Sequence, residues 1–124
     1  MKNIGFNAEE CCACLESISA EIEGLVELVK DVDSMTPSQI EKAKTQLANL
    51  KSCLKQDYML RDTNQGREMM TEVEAAIYAP AVQQAFADLR ITPNSRPSRE
   101  WFSDLCSVQI TIRHALAMLK NGHK

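Results

Sequence analysis

Residues 7–32 read NAEECCACLESISAEIEGLVELVKDV, and the spacing of their apolar members decides the fold class. Cys11, Leu15, Ile18, Ile22, Leu25, Val29 and Val32 recur at alternating intervals of four and three. That period lays one apolar stripe along a helix, whereas a half-buried strand would alternate every second residue. Asn7 stands as N-cap with Glu10 at the reciprocal position, so the helix is predicted to start at about residue 8. Glu9 and Glu10 suit the positive end of its dipole. Val26 and Leu28 widen the stripe, enough for two neighbouring helices or for one neighbour and a second subunit.

Moving outward, Thr36-Pro37-Ser38-Gln39 carries a complete helix start: a hydroxyl cap, proline at the first helical position and glutamine to close the box. Ile40, Ala43, Leu47, Leu50 and Leu54 follow at helical spacing, which predicts a helix to about residue 60. A third segment, roughly 65–90, places Met69, Met70, Val73, Ala76 and Ile77 on one side, then Val82, Phe86 and Leu89. Pro80 interrupts it and predicts a kink or a split there. Residues 91–98 hold two prolines and read as a loop. From Ser98 a fourth stripe runs through Trp101, Leu105, Val108, Ile112, Ala115 and Leu119, with Gly122 as its stop.

Four amphipathic helices on short connections predict an all-α protein, an antiparallel up-down-up-down four-helix bundle whose third helix is kinked or split at Pro80. One domain accounts for residues 1–124. The successive segments are acidic, basic, acidic and basic, so each adjacent pair in that topology joins opposite signs and each diagonal pair like signs. Exposed ion pairs contribute about 0–1 kcal/mol each, so the pattern selects a topology more than it stabilises one.

An apolar fraction of 44% and a charged fraction of 25%, with only 4 Gly and 4 Pro, describe a chain that folds. Its opening residues, MKNIGFNAEE, lack the apolar region of a secretory signal, and no run approaches the roughly 20 apolar residues that span a bilayer. The expectation is a cytoplasmic protein without a membrane partner. An odd count of 5 cysteines agrees with reduced thiols. A net charge of -3 gives no general attraction for phosphate backbones, and Arg96 and Arg99 beside Trp101 are too few for a nucleic-acid footprint.

Two groups of residues are candidate sites. Cys11-Cys12-Ala13-Cys14 lies in the first turns of a helix, where unpaired amides favour thiolate. In the predicted bundle Cys11, Cys14, Cys53 and His114 fall at matching heights near Met69 and Met70, a candidate soft-metal layer for zinc or copper. The competing reading has these thiols and thioethers filling gaps in the core, with no cofactor at all. At the other end Trp101, Phe102, Tyr78 and Phe86 are expected to gather. They form either an apolar plug or, with Arg96 and Arg99, a partner-binding patch.

A carboxylate-bridged di-iron bundle is excluded, because His114 and His123 are the chain's 2 histidines and neither stands in a Glu-x-x-His pair. Phosphate-cradling glycine loops, HExxH and serine-elbow motifs are also missing. The residues favour a non-enzymatic protein-protein interaction module, whose partner is another protein or a second copy docking along the first helix. The alternative is a thiol- or soft-metal-binding bundle built on the Cys11, Cys14, Cys53 and His114 layer.

Overall fold

The structure, a computed structural model, describes residues 7–61 and 63–122. The first six residues and His123, which enter the leader and di-iron readings above, lie outside the described residues. Helix α1 (Ala8–Val29) opens on the expected reciprocal cap: the Glu10 amide donates to Asn7 Oδ1 at 2.8 Å and the Asn7 amide to Glu10 Oε1 at 3.0 Å. After a single 3-10 turn at Val32–Ser34, Thr36 and Gln39 close the same kind of box at 3.2 and 2.9 Å and start α2 (Pro37–Arg61).

The third segment is broken twice. A short helix α3 (Asn64–Met69), capped by Thr63, ends where Met70 turns extended. The chain then re-enters a helix through a π turn at Glu74–Tyr78 that runs straight into α4 (Ala79–Asp88). Pro80 explains the π turn. It has no N–H for the carbonyl four residues back, and its ring crowds that carbonyl. Widening the helix relieves both, and the Ala79 amide reaches back five residues to the Glu74 carbonyl.

Helix α5 (Arg99–Gly122) completes a ring in which α1 adjoins α2, α2 adjoins α4, α4 adjoins α5 and α5 adjoins α1. This is the up-down-up-down bundle. Helices α1 and α5 run antiparallel: the first turn of α1 and the last of α5 share a groove, and midway Ser19 Oγ donates to Gln109 Oε1 at 3.0 Å while Gln109 Nε2 donates to the Ser19 carbonyl at 3.2 Å. The stripes read from sequence in α1, α2 and α5 are the core, with Leu15, Ile22 and Leu25 facing Leu47, Leu50, Leu54, Leu105, Val108 and Ile112, all fully buried. Each such side chain contributes about 1.5–3 kcal/mol by leaving water. In the third segment the break at Met70 and the π turn shift the inward side, so Ala76 is exposed and Val73 and Ile77 half-buried while Tyr78, Ala81, Val82, Ala85 and Leu89 are buried. Val26 and Leu28 are half-buried against this same core.

The proline-rich loop before α5 is tied down. Lys51 Nζ donates to the Ile91 carbonyl at 2.8 Å, and Asp104 Oδ2 accepts from the amides of Arg90 and Ile91 at 3.2 and 3.3 Å. Burial lowers the Lys51 pKa, an effect that the Asp104 charge opposes.

The turn from α2 into α3 leaves room only for glycine at position 66. A Cβ there would stand 2.3 Å from the Leu60 carbonyl oxygen and 2.9 Å from Thr63 Oγ1. Gly66→Ala is predicted to cost about 1–3 kcal/mol in urea unfolding, since the crowded atom is backbone and cannot rotate away. An unchanged midpoint would show that the corner is looser than this geometry.

Candidate functional site

The four soft ligands predicted to share a layer are not brought together. Cys11 is buried in the core and Cys14 half-buried beside it, but Cys53 is exposed on α2 and His114 exposed on α5. Among the described residues, no group of three or more His, Cys, Asp or Glu side chains is placed to hold a metal ion. Met69 and Met70 are half-buried.

What Cys11 and Cys14 meet instead is a buried ionic network that the sequence reading passed over. Arg61, the last residue of α2, is 8% exposed, and Glu74 and Tyr78, at the two ends of the π turn, are each 2% exposed. Arg61 Nε and Nη2 both approach Glu74 Oε2 at 2.8 Å. Its Nη1 pairs with the Asp57 carboxylate and donates to the Asp57 carbonyl at 3.3 Å. Tyr78 donates its hydroxyl to Asp57 Oδ2 at 2.5 Å, and the guanidinium carbon lies 4.7 Å over the Tyr78 ring. Glu74 Oε1 accepts from the Thr71 amide at 3.2 Å, and the Glu74 amide donates to Thr71 Oγ1 at 3.2 Å. Glu74 thus closes a capping box with one oxygen and holds the arginine with the other.

Two residues four apart on α2 therefore meet two residues four apart on the π turn. One guanidinium faces two carboxylates, and each group in the cluster has a partner, as burial demands. The surroundings hold the protons of the Cys11 thiol and the Tyr78 hydroxyl. Burial pushes the Cys11 thiol up to about 12, with the Glu74 charge adding to the rise and Arg61 opposing it. The Tyr78 hydroxyl is also pushed up, first by burial and then by Cys14, again with Arg61 opposing. A protonated Cys11 is far from the thiolate that attacks electrophiles or binds soft metals.

The predicted partner patch divides. Trp101 is buried, its indole Nε1 donating to Ser95 Oγ at 3.2 Å, and Phe86 is half-buried against Tyr58 with ring centroids 6.3 Å apart. Tyr78 is not with them. It joins the cysteine end, because the helix that carries it restarts only after Met70 and residue 78 falls in its early turns. Phe102, Arg96 and Arg99 are at the surface.

Phe102 belongs to a longer row that sequence reasoning also missed. Along the outer side of α5, Arg99, Phe102, Cys106, Ile110, Arg113 and Ala117 follow at intervals of three and four, opposite the buried row from Trp101 to Leu119. Ile110 is 70% exposed and Phe102 38%. The signal was present in the sequence as a second, weaker stripe beside the strong one.

Compared with known proteins, the chain matches no family model, no curated protein and no solved structure.

Two outcomes follow from the network. Arg61→Ala leaves buried carboxylates without their cation and is expected to lower unfolding free energy by about 3–5 kcal/mol, whereas Glu74→Gln, which keeps one acceptor oxygen and turns the other into an NH2 donor, should cost about 1–3 kcal/mol. Denaturant titration separates them, and equal small losses would show that the pairing contributes little. Thiol labelling of the native protein should modify exposed Cys53 first and leave Cys11 untouched until unfolding. Early alkylation of Cys11, read by peptide mapping, would contradict its burial.

Proposed function

We propose that this chain is a helical-bundle interaction module that binds protein through the outer side of α5. The observation that carries this reading is the exposed row from Arg99 to Ala117. Its centre is apolar, it has an arginine on each side of that centre, and its spacing is that of a helix anchoring a partner. Aromatic residues and arginine are enriched where interfaces hold their binding energy, and an exposed Ile110 flanked by them is a natural anchor.

The rest of the fold supports the role by keeping this surface rigid. The inner side of α5 is locked into the core, and its first turn is fixed by Trp101 and by Asp104 on the loop amides. Rigid presentation lowers the ordering cost of binding. The proposal includes a cytoplasmic, reducing setting, in which the 5 cysteines stay as thiols. Among the described residues no helix is long and apolar enough to cross a membrane.

The test is Ile110→Asp, alone and with Phe102→Asp, compared with wild type by affinity purification and quantitative mass spectrometry. Ile110 contributes little to the core, so helix content and melting temperature should stay within the small range of surface substitutions, about 0.5 kcal/mol. Proteins retained by wild type and lost with the variants support the reading. Retention unchanged by both variants would sink it.

A further inference from the structure

The outer sides of α5 and α1 form one continuous face, since the two helices lie side by side and join across it. Lys120 of α5 reaches Glu16 of α1 at 3.5 Å, and Leu119 and Lys120 share a shallow groove with Ala8, Glu9 and Cys12. The two halves of this face differ in charge. On α5 the exposed charges along this row are Arg99 and Arg113, with Lys120 at the seam; Glu100 is exposed one residue round from the row, and Asp104 is turned to the loop amides before the helix. On α1 the exposed charges along this side are Glu9, Glu16, Glu23 and Glu27, followed by Lys30, which pairs with Glu27 at 3.0 Å.

We infer that this face binds a second copy of the same chain, α5 of each copy lying on α1 of the other. The inference rests on the reading of α5 as a protein-binding surface and names the occupant. Charge complementarity selects that occupant: the surface is basic and apolar on one side and mainly acidic on the other, so its own copy, turned by a two-fold axis parallel to the helices, lays basic α5 over acidic α1. Such an arrangement is closed and self-complementary.

The register agrees. Hydrogen bonds between Ser19 and Gln109 set these two residues at one level. Counting four residues forward on α5 and four back on α1 brings Arg113 within one residue of Glu16. Counting ten the other way brings Arg99 level with position 29, one residue from Lys30 and two from Glu27, so this end of the face adds no net opposite charge. A two-fold axis along the bundle preserves levels, so Arg113 faces Glu16 of the second copy.

Sedimentation equilibrium of the purified full chain tests this without any other protein present. Wild type is expected to form a dimer of twice 13.9 kDa. Ile110→Asp, Arg113→Glu and Glu16→Arg are each expected to weaken it by at least about tenfold, the loss typical of a central contact. The combined Arg113→Glu/Glu16→Arg chain, with the charges exchanged, is expected to recover most of that loss. A strict monomer at every concentration up to the solubility limit would overturn the inference, and so would a dimer that none of the three single substitutions weakens, or one that the exchange does not restore. The broader reading fails separately, on the purification comparison with Ile110→Asp.

Discussion

The contact on which the rest of this structure depends is the antiparallel seam between α1 and α5. Apolar packing alone allows two helices to slide by a turn with modest penalty, because one leucine replaces another in the same groove. Ser19 and Gln109 remove that freedom. Gln109 is 7% exposed, and its amide is satisfied by the Ser19 hydroxyl on one side and the Ser19 carbonyl on the other. A slip would bury a glutamine side chain without partners, at about 1–3 kcal/mol, so a single polar pair specifies the register that the stripes stabilise. Every height in the molecule, including those of the charged residues on the outer face, follows from that setting.

A second polar group does similar work where α2 meets the broken third segment. Pro80 forbids a regular helix behind it, and the widened turn that results places Glu74 and Tyr78 on the side facing Asp57 and Arg61. The irregular backbone and the buried ion network are therefore one feature. Desolvating Arg61 and two carboxylates is expensive, and only the multiple hydrogen bonds of the guanidinium and the Thr71 amide offset it. Thr71 and Glu74 make this junction both a helix start and a cation clamp, so the corner between α3 and α4 holds one geometry.

Local signals in the sequence were read correctly because their physics is local. Asn7 with Glu10 and Thr36 with Gln39 satisfy amides three residues away, and the stripes of α1, α2 and α5 need no knowledge of a partner to be seen, whereas the third, crossing the break at Met70 and the π turn, put exposed Ala76 on the inward side. The ionic network was not legible in the same way, since Arg61 and Glu74 are 13 apart and Tyr78 and Asp57 are 21 apart, joined by a turn whose course no periodicity announces. The proposed ligand layer shows a different error. Matching heights were inferred, but height is only half of a position on a helix. Cys53 stands one residue before Leu54 and His114 one before Ala115, each off its stripe, and that spacing already turned both away from the interior. Cys11 lies on its stripe and is buried accordingly.

The alternation of charge along the chain has a consequence beyond topology. Within the bundle, opposite signs on α1 and α5 meet through Lys120 and Glu16, an exposed pair whose contribution is small. Among the described residues, Arg99, Arg113 and Glu23 are exposed and form no ion pair across the seam, so the complementarity that favours the antiparallel neighbour is left largely unused at the surface. Charges facing water are nearly indifferent to one another. The same charges, brought across a dry apolar centre of Phe102 and Ile110, interact at shorter range and lower effective dielectric. By the two-fold rule, the mainly opposite signs of the outer α5 and α1 rows that suit them as antiparallel neighbours inside the bundle would suit the same two helices across a contact between copies, the arrangement inferred above.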